Sequence, residues 1–308
     1  MTLSRFARSC LPALAAALSC AATPARADIP PAVDAMIREA HRTGDATTLS
    51  AVLRVAKATN PDDAPAIDAL ARSLVTYADE KAKRDREAML AAQGYFEGWT
   101  GQGQAGFGLS SGNTEQVSGV IGISLKKEGL RMRHKVEALV DYLRTSGITT
   151  REKFGASYGL DYKRREGFYL YGIIGWEQDR FAGYTTRFTE SLGAGLRVVN
   201  KPDMTLDLDL GPALRQTFFT DGTNAFEIGP RASATYKWSP GPGMTVSEIA
   251  SVISGDQGTT LISDTAFTSK ITGSLSGRLS FNVQTESDRA SSSKPTDTAT
   301  RATLVYEF

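Results

Sequence analysis

The chain has 308 residues, and its 35 basic and 34 acidic side chains leave a net charge of +1. Acids and bases are interspersed, which argues against nucleic acid as a partner, since that requires a clustered basic face. Both cysteines, Cys10 and Cys20, fall in the N-terminal leader, so cysteine-based zinc sites, cysteine nucleophiles and disulfides drop out for an exported chain.

Arg5 and Arg8 precede an apolar run from Leu11 to Ala22, and Ala25-Arg26-Ala27 follows. A basic segment, a short apolar stretch and an A-x-A site predict a signal peptide over 1–27, cleaved after Ala27. An N-terminal anchor is the alternative; lipidation at Cys20 fits poorly with Ala17-Leu18-Ser19 before it. No later apolar run approaches the ~20 residues of a spanning helix.

Residues 28–92 carry a helical period. Val33, Met36, Ile37 and Ala40 share one face, Asp45 is placed to cap a second helix, and Asn60-Pro61-Asp62 opens a third through Ile67, Leu70, Leu74 and Tyr77. The mixed charge run ADEKAKRDREAML reads as a solvated helix face. Three helices in so short a segment make a marginal bundle, read here as a periplasmic extension with its own partner surface.

The period changes from 3.6 to 2 over residues 93–308. Leu130, Met132, Val136, Ala138, Val140 and Tyr142 alternate with Arg131, Arg133, Lys135, Glu137 and Asp141; Met204, Leu206, Leu208 and Leu210 alternate with Asp207 and Asp209. Phe226, Ile228, Ala232, Ala234, Tyr236 and Trp238 alternate with Glu227, Arg231 and Lys237. Twelve such strands are predicted, at 98–110, 115–126, 129–143, 150–164, 167–179, 184–199, 203–217, 224–238, 243–254, 259–270, 275–287 and 297–308. They exceed the ~5–6 residues usual in soluble sheets. Long strands with one apolar and one charged face suit an all-β transmembrane antiparallel barrel, closed because hydrocarbon tolerates no unpaired edge. Tyr142, Tyr162, Phe168, Trp176, Tyr184, Phe188, Phe218, Tyr236 and Trp238 fall near strand ends, as membrane-interface girdles would.

Short connections (127–128, 165–166, 200–203, 239–243, 272–274) are expected to alternate strictly with longer polar ones, among them SSGNTEQ, RTSGITT and ESDRASSSKPTD. An even strand count then leaves both termini on the short-turn side, the periplasm. In strand nine Glu248 falls in phase with Met244 and Val246, and strand ten alternates weakly. A bulge or a misplaced boundary is the expected cause.

The chain ends TLVYEF, with Leu304, Tyr306 and Phe308 on one face. An amphipathic last strand ending in phenylalanine resembles the signal read by the outer-membrane barrel-assembly machinery. Trp99 to Gly101 with Gly106 to Thr114, and at the other end Thr296, Asp297, Thr298, Leu304, Tyr306 and Phe308, together resemble the salt-induced outer membrane protein family, domain of unknown function 481. The resemblance implies an outer-membrane β-barrel and supplies no catalytic residues.

The candidate chemistry is sparse. His134 shares the apolar face of strand three, and a lipid-modifying Ser-His site there would need a neighbouring serine. The alternation turns Ser124 and Ser157 inward, away from it. SSGNTEQ reads as a hairpin with Gly112 and Asn113 at positive φ, because no helix follows to make a phosphate loop. Asp207, Asp209, Glu177 and Glu190 lack calcium-loop spacing. No metal, cofactor or catalytic residue is assigned. Lumen-facing charges are expected at Arg131, Arg133, Lys135, Lys153, Lys163, Arg197, Arg215, Arg231, Lys237 and Arg278, against Glu137, Asp141, Asp161, Glu177, Asp207, Asp209 and Glu227. Inward glycines, Gly106, Gly108, Gly122, Gly155, Gly159, Gly175, Gly193, Gly195 and Gly229, are expected to leave room inside. The reading is an outer-membrane barrel embedded in lipid, most consistent with a small channel for polar or anionic solutes. A non-conducting structural, stress-related or interaction barrel comes second, a lipid-modifying enzyme a distant third.

Overall fold

The structure, a computed structural model, describes residues 29–110, 115–256, 258–287 and 295–308. The leader over 1–27, with both cysteines, and the Gly112-Asn113 turn lie outside the described residues. The chain divides into two compact units, one ending at Arg86 and one beginning at Glu87.

In the first unit, α1 (Pro31–Arg42), α2 (Ala46–Thr59) and the start of α3 (Ala64–Ala92) gather around Ile37, Ala56 and Ile67. Val33, Leu49, Val52, Leu53, Leu70 and Leu74 pack against these three. Asp45 begins α2 by accepting hydrogen bonds from the Thr47 and Thr48 amides at 2.9 and 3.1 Å, which satisfies two of the four amides a helix start leaves open. Met36 and Tyr77, placed on core faces by the periodicity, are exposed.

The second unit is a closed antiparallel barrel of twelve strands. These are β1 (Trp99–Ser110), β2 (Gln116–Glu128), β3 (Met132–Thr145), β4 (Ile148–Arg165), β5 (Phe168–Asp179), β6 (Tyr184–Asn200), β7 (Met204–Phe219), β8 (Asn224–Trp238), β9 (Met244–Gly255), β10 (Gly258–Thr272), β11 (Leu275–Glu286) and β12 (Thr296–Glu307). Each strand pairs with its neighbours in sequence, and β1 meets β12 to close the wall. The burial pattern inverts that of a soluble protein. Phe107, Leu109, Ile121, Leu192, Leu210, Phe226 and Ile228 are exposed, whereas Arg133, Asp141, Asp161, Arg187, Arg215, Glu227 and Glu286 are buried. An apolar outer belt around a polar interior marks the barrel as transmembrane.

The connections depart from strict short–long alternation. Where a long RTSGITT loop was expected, β3 and β4 run on through the threonines to a two-residue turn, Ser146-Gly147, both at positive φ (48° and 82°). Such a turn matches the right-handed strand twist. Polar strand ends that rise past the apolar belt read as loop in sequence. At the rim bearing the termini, β3 begins only at Met132, so Arg131 is exposed in the preceding turn. It does not line the lumen. Of the aromatics expected in girdles, Tyr184 turns inward and is fully buried.

Strand nine is neither bulged nor misplaced. Its register with β10 is continuous from Met244↔Ser269 to Gly255↔Gly258. Glu248 therefore lies on the outer face, opposite Tyr236 and Thr265. The hydroxyls of Ser263, at 2.6 Å, and of Thr265 donate to its two carboxylate oxygens.

A lumen crossed by paired charges

The pleat sends every second residue of each strand into the barrel, and these side chains form two groups. Nearer the termini, Arg133 binds Asp161 at 2.6 Å, and Lys135 reaches the same carboxylate at 2.9 Å. Arg197 makes a two-pronged pair with Asp207 (2.6 and 2.7 Å). Lys163 pairs with Glu128 at 2.5 Å. The Tyr169 hydroxyl donates to Asp209 at 2.6 Å, and Ser233 donates to that carboxylate's other oxygen at 3.1 Å. Arg133 also stacks over the Tyr169 ring, 5.1 Å from its centroid.

Towards the far rim the pairs cross the lumen. Lys153 of β4 pairs with Glu177 of β5 and donates to Gln284 of β11 at 3.2 Å. Gln284 donates to Glu286 at 3.0 Å, and Glu286 accepts from Arg187 of β6 at 2.8 Å. This chain of contacts joins β4, β11 and β6, strands on different sides of the barrel. Arg187 lies flat on Tyr184, 3.9 Å from the ring centroid. Arg215 of β7 donates to Thr260 of β10 at 2.8 Å and pairs with Glu227. Arg301 of β12 passes behind β1 and β2 to bind Asp141 of β3, which Arg151 also approaches at 3.7 Å. The buried charges largely pair with one another, as charges withdrawn from water must; Arg215 Nε, Arg278 Nε and the Tyr184 hydroxyl are buried without a hydrogen-bond partner among the described residues.

Not every lumen position is filled. Glu137 and Lys237 are solvent-exposed at inward positions, and at the terminal rim a mouth of about 510 Å³ opens between Gln102, Ser124, Ser274, Glu307 and Phe308. Among the described residues neither Lys237 nor Arg231 has a carboxylate partner; Arg231 faces the Tyr171 ring at 5.8 Å. Arg278 pairs with Asp264 at 3.7 Å.

The glycines act differently from expectation. A Cβ at Gly195 would collide with the Tyr169 ring and sit 2.5 Å from Asp209, and one at Gly193 would lie 2.7 Å from the Tyr171 ring. Gly195 makes room for a buried tyrosine and Gly193 for the Leu210 backbone carbonyl as well as the Tyr171 ring, and they leave no aqueous space there. At Gly155, Gly159 and Gly175 a Cβ would meet only ordinary contacts.

Sequence reasoning missed Glu128, Arg151, Arg187, Asp264, Glu286 and Arg301 as members of the lumen network. The inward phase of Arg187 and Glu286 was available, but not their partnership across 99 residues. His134 stands outside, its Nδ1 2.8 Å from the Tyr158 hydroxyl and its ring 6.2 Å from Trp99. Ser124 and Ser157 both oppose Glu137 on the inner face. No Ser–His pair is assembled there. Leu304, Tyr306 and Phe308 project outward, with Phe308 and Gly101 exchanging two backbone hydrogen bonds of 2.9 Å at the barrel seam.

Among curated proteins, uncharacterized protein YdiY of Escherichia coli (strain K12) is 28% identical over 239 residues, 77% of this chain and 92% of that protein. Similar solved structures include the translocator domain of the autotransporter NalP from Neisseria meningitidis (12% identity, 77% of this chain and 98% of that one, TM-score 0.43). An outer membrane channel from Pseudomonas putida F1 (12%, 68% and 95%, TM-score 0.44) is another. The family model described as "Protein of unknown function, DUF481" matches residues 103–308, and the chain belongs to that family.

Proposed function

We propose that the protein is an outer-membrane barrel, with both termini in the periplasm, that passes small polar solutes through a narrow lumen closed at rest by a bridge of side chains. The observation that carries this reading is the Lys153–Gln284–Glu286–Arg187 contact chain joining different sides of the lumen. Above and below it the interior is polar, and Glu137 and Lys237 stay exposed. A side-chain bridge moves on the nanosecond scale or slower without disturbing the wall, so it suits a gate. Lys237 and Arg231, without carboxylate partners among the described residues, attract anions, and Glu137 and Asp209, without basic partners among them, moderate that preference. The sites assigned from sequence belong to this proposal: Arg133, Lys135, Glu137, Asp141, Lys163, Asp207, Asp209, Arg231 and Lys237 as lumen lining, and Leu304, Tyr306 and Phe308 as the surface read by the assembly machinery.

Single-channel recording of the refolded chain, with folding first verified by heat-modifiable gel mobility, tests the proposal. Brief, small, anion-preferring openings are expected. Removing the bridge with Arg187→Ala and Glu286→Ala together should lengthen and enlarge them. Silence from both folded proteins would refute the channel and leave the second reading, a non-conducting barrel. That reading is favoured by the other buried pairs, Arg133–Asp161 and Arg215–Glu227.

A further inference from the structure

The seam that closes the barrel is zipped over less than half its length. Between β1 and β12 the register runs only from Gln102↔Glu307 to Ala105↔Leu304, with the Gly101–Phe308 exchange below it. Carried upward, the same register would pair Gly106–Ser110 with Thr303–Ala299. Among the described residues those five pairs are missing. Both stretches are nonetheless regular strand, paired on their other sides with β2 and β11. The gap is ~17 Å of strand at ~3.3 Å per residue.

The Gly101–Phe308 exchange fixes the phase of the ladder, because hydrogen-bonded pairs recur at every second residue. Phe107, Leu109, Ala302 and Thr300 therefore turn their amide and carbonyl groups towards the gap, outside the paired register; at its lower end the strands stay close, with the Ala302 carbonyl 2.8 Å from where a Cβ on Gly106 would stand. Phe107 and Leu109 are each 72% exposed on the apolar belt, so the gap faces hydrocarbon, where unsatisfied backbone is costly.

The inner lip of the gap is polar. Gly106 and Gly108 present no side chains, and the buried Thr303 hydroxyl has no hydrogen-bond partner. Behind them Arg301 crosses to Asp141, a single carboxylate shared with Arg151. Hydrocarbon outside, a slot where the ladder register has ended and the Thr303 hydroxyl has no partner, and two guanidiniums on one carboxylate inside match an anionic headgroup on an acyl tail. We infer that the far half of the β1–β12 seam is a lateral portal that admits a phospholipid of net negative headgroup charge from the surrounding bilayer, its tail outside and its phosphate taking Arg301 or Arg151 from Asp141. This inference rests on the transmembrane barrel, and it stands or falls independently of conductance.

The test uses the full refolded chain in vesicles of phosphatidylcholine with or without phosphatidylglycerol. Amide exchange at Phe107, Leu109, Thr300 and Ala302 is expected to be at least ~100-fold faster than at Gly103, Ala105, Leu304 and Tyr306. With Phe107 replaced by a photoreactive benzoylphenylalanine, phosphatidylglycerol should be captured several-fold more than phosphatidylcholine. Arg301→Gln should lower that preference, and Asp141→Asn, which frees both arginines, should raise it. A merely structural ion pair would make both variants fall together. Equal exchange along the whole seam, equal capture of the two lipids, or cross-linking to a second copy of the chain would each overturn the portal.

Discussion

Gly195→Ala is the sharpest probe of how the lumen is filled. The new methyl would overlap the Tyr169 ring and lie 2.5 Å from the Asp209 carboxylate. Tyr169 is buried, and its hydroxyl holds Asp209 at 2.6 Å, so the ring has to swing and surrender that bond. A hydrogen bond to a charged group contributes about 1.5–3 kcal/mol, and overpacking a tight site adds roughly 1–3 kcal/mol. The expected cost is therefore about 2.5–6 kcal/mol, large for replacing one hydrogen by a methyl. Urea unfolding in phospholipid vesicles, followed by tryptophan fluorescence, would measure it. The cause is isolated by a double-mutant cycle. With Tyr169→Ala already in place, Gly195→Ala should cost under ~1 kcal/mol, a coupling of the size that contacting residues show. A loss of the same size in both backgrounds would refute the tyrosine-over-glycine account, as would a loss near zero in the native background.

Four further outcomes follow from particular contacts. Arg187→Met alone removes the guanidinium that Glu286 accepts from in a buried site and should destabilise by about 3–5 kcal/mol, whereas Arg187→Met with Glu286→Leu should recover most of that in the same urea assay. Glu248→Leu, on the lipid-facing wall, should be neutral or stabilising by on the order of 1 kcal/mol, because a charge facing hydrocarbon is unfavourable even when hydroxyls cap it. In the helical unit, the Thr48 hydroxyl and the Thr47 and Thr48 amides hold the Asp45 carboxyl below its ordinary range. Its contribution is present above the unfolded carboxylate value of ~3.9 and is lost as pH falls through the lower folded value. The helical signal of the intact chain should accordingly weaken in acid, and Asp45→Ala should blunt that acid sensitivity. Phe308→Ala keeps the backbone bonds to Gly101, so a fall in barrel yield in cells with unchanged refolding in vitro would assign Phe308 to assembly; an equal fall in both would assign it to stability alone.

The barrel was legible because one physical rule governs every strand: the lipid-facing residue is apolar and its neighbour is not. That rule places Arg133, Asp141, Asp207 and Glu227 inside without any knowledge of partners. It fails in three instructive places. Ser146-Gly147 was hidden because a strand leaving the hydrocarbon no longer needs apolar residues, and its threonines then look like loop. Glu248 was read as an error of phase, although the phase was right and the residue breaks the rule. Arg131 was carried inward by extending the alternation past the point where the strand begins.

What alternation cannot carry is pairing. It assigns Arg301 and Asp141 to the same interior but is silent on the 160 residues between them. Counting lumen charges, ten basic against seven acidic in the sequence reading, misses this. Arg151, Arg187 and Arg301 join the cations, Glu128, Asp264 and Glu286 join the anions, and nearly all become neutralised in pairs. Free charge, which governs ion selectivity, is then carried by the few left over, Lys237 and Arg231 against Glu137 and Asp209, the last held only by hydroxyls. On the proposed reading, the pairing that closes the lumen along its axis leaves the β1–β12 gap as the interior's contact with the bilayer at the height of Arg301. Solute passage along the axis and lipid entry from the side are independent proposals, and the bridge and seam variants test each separately.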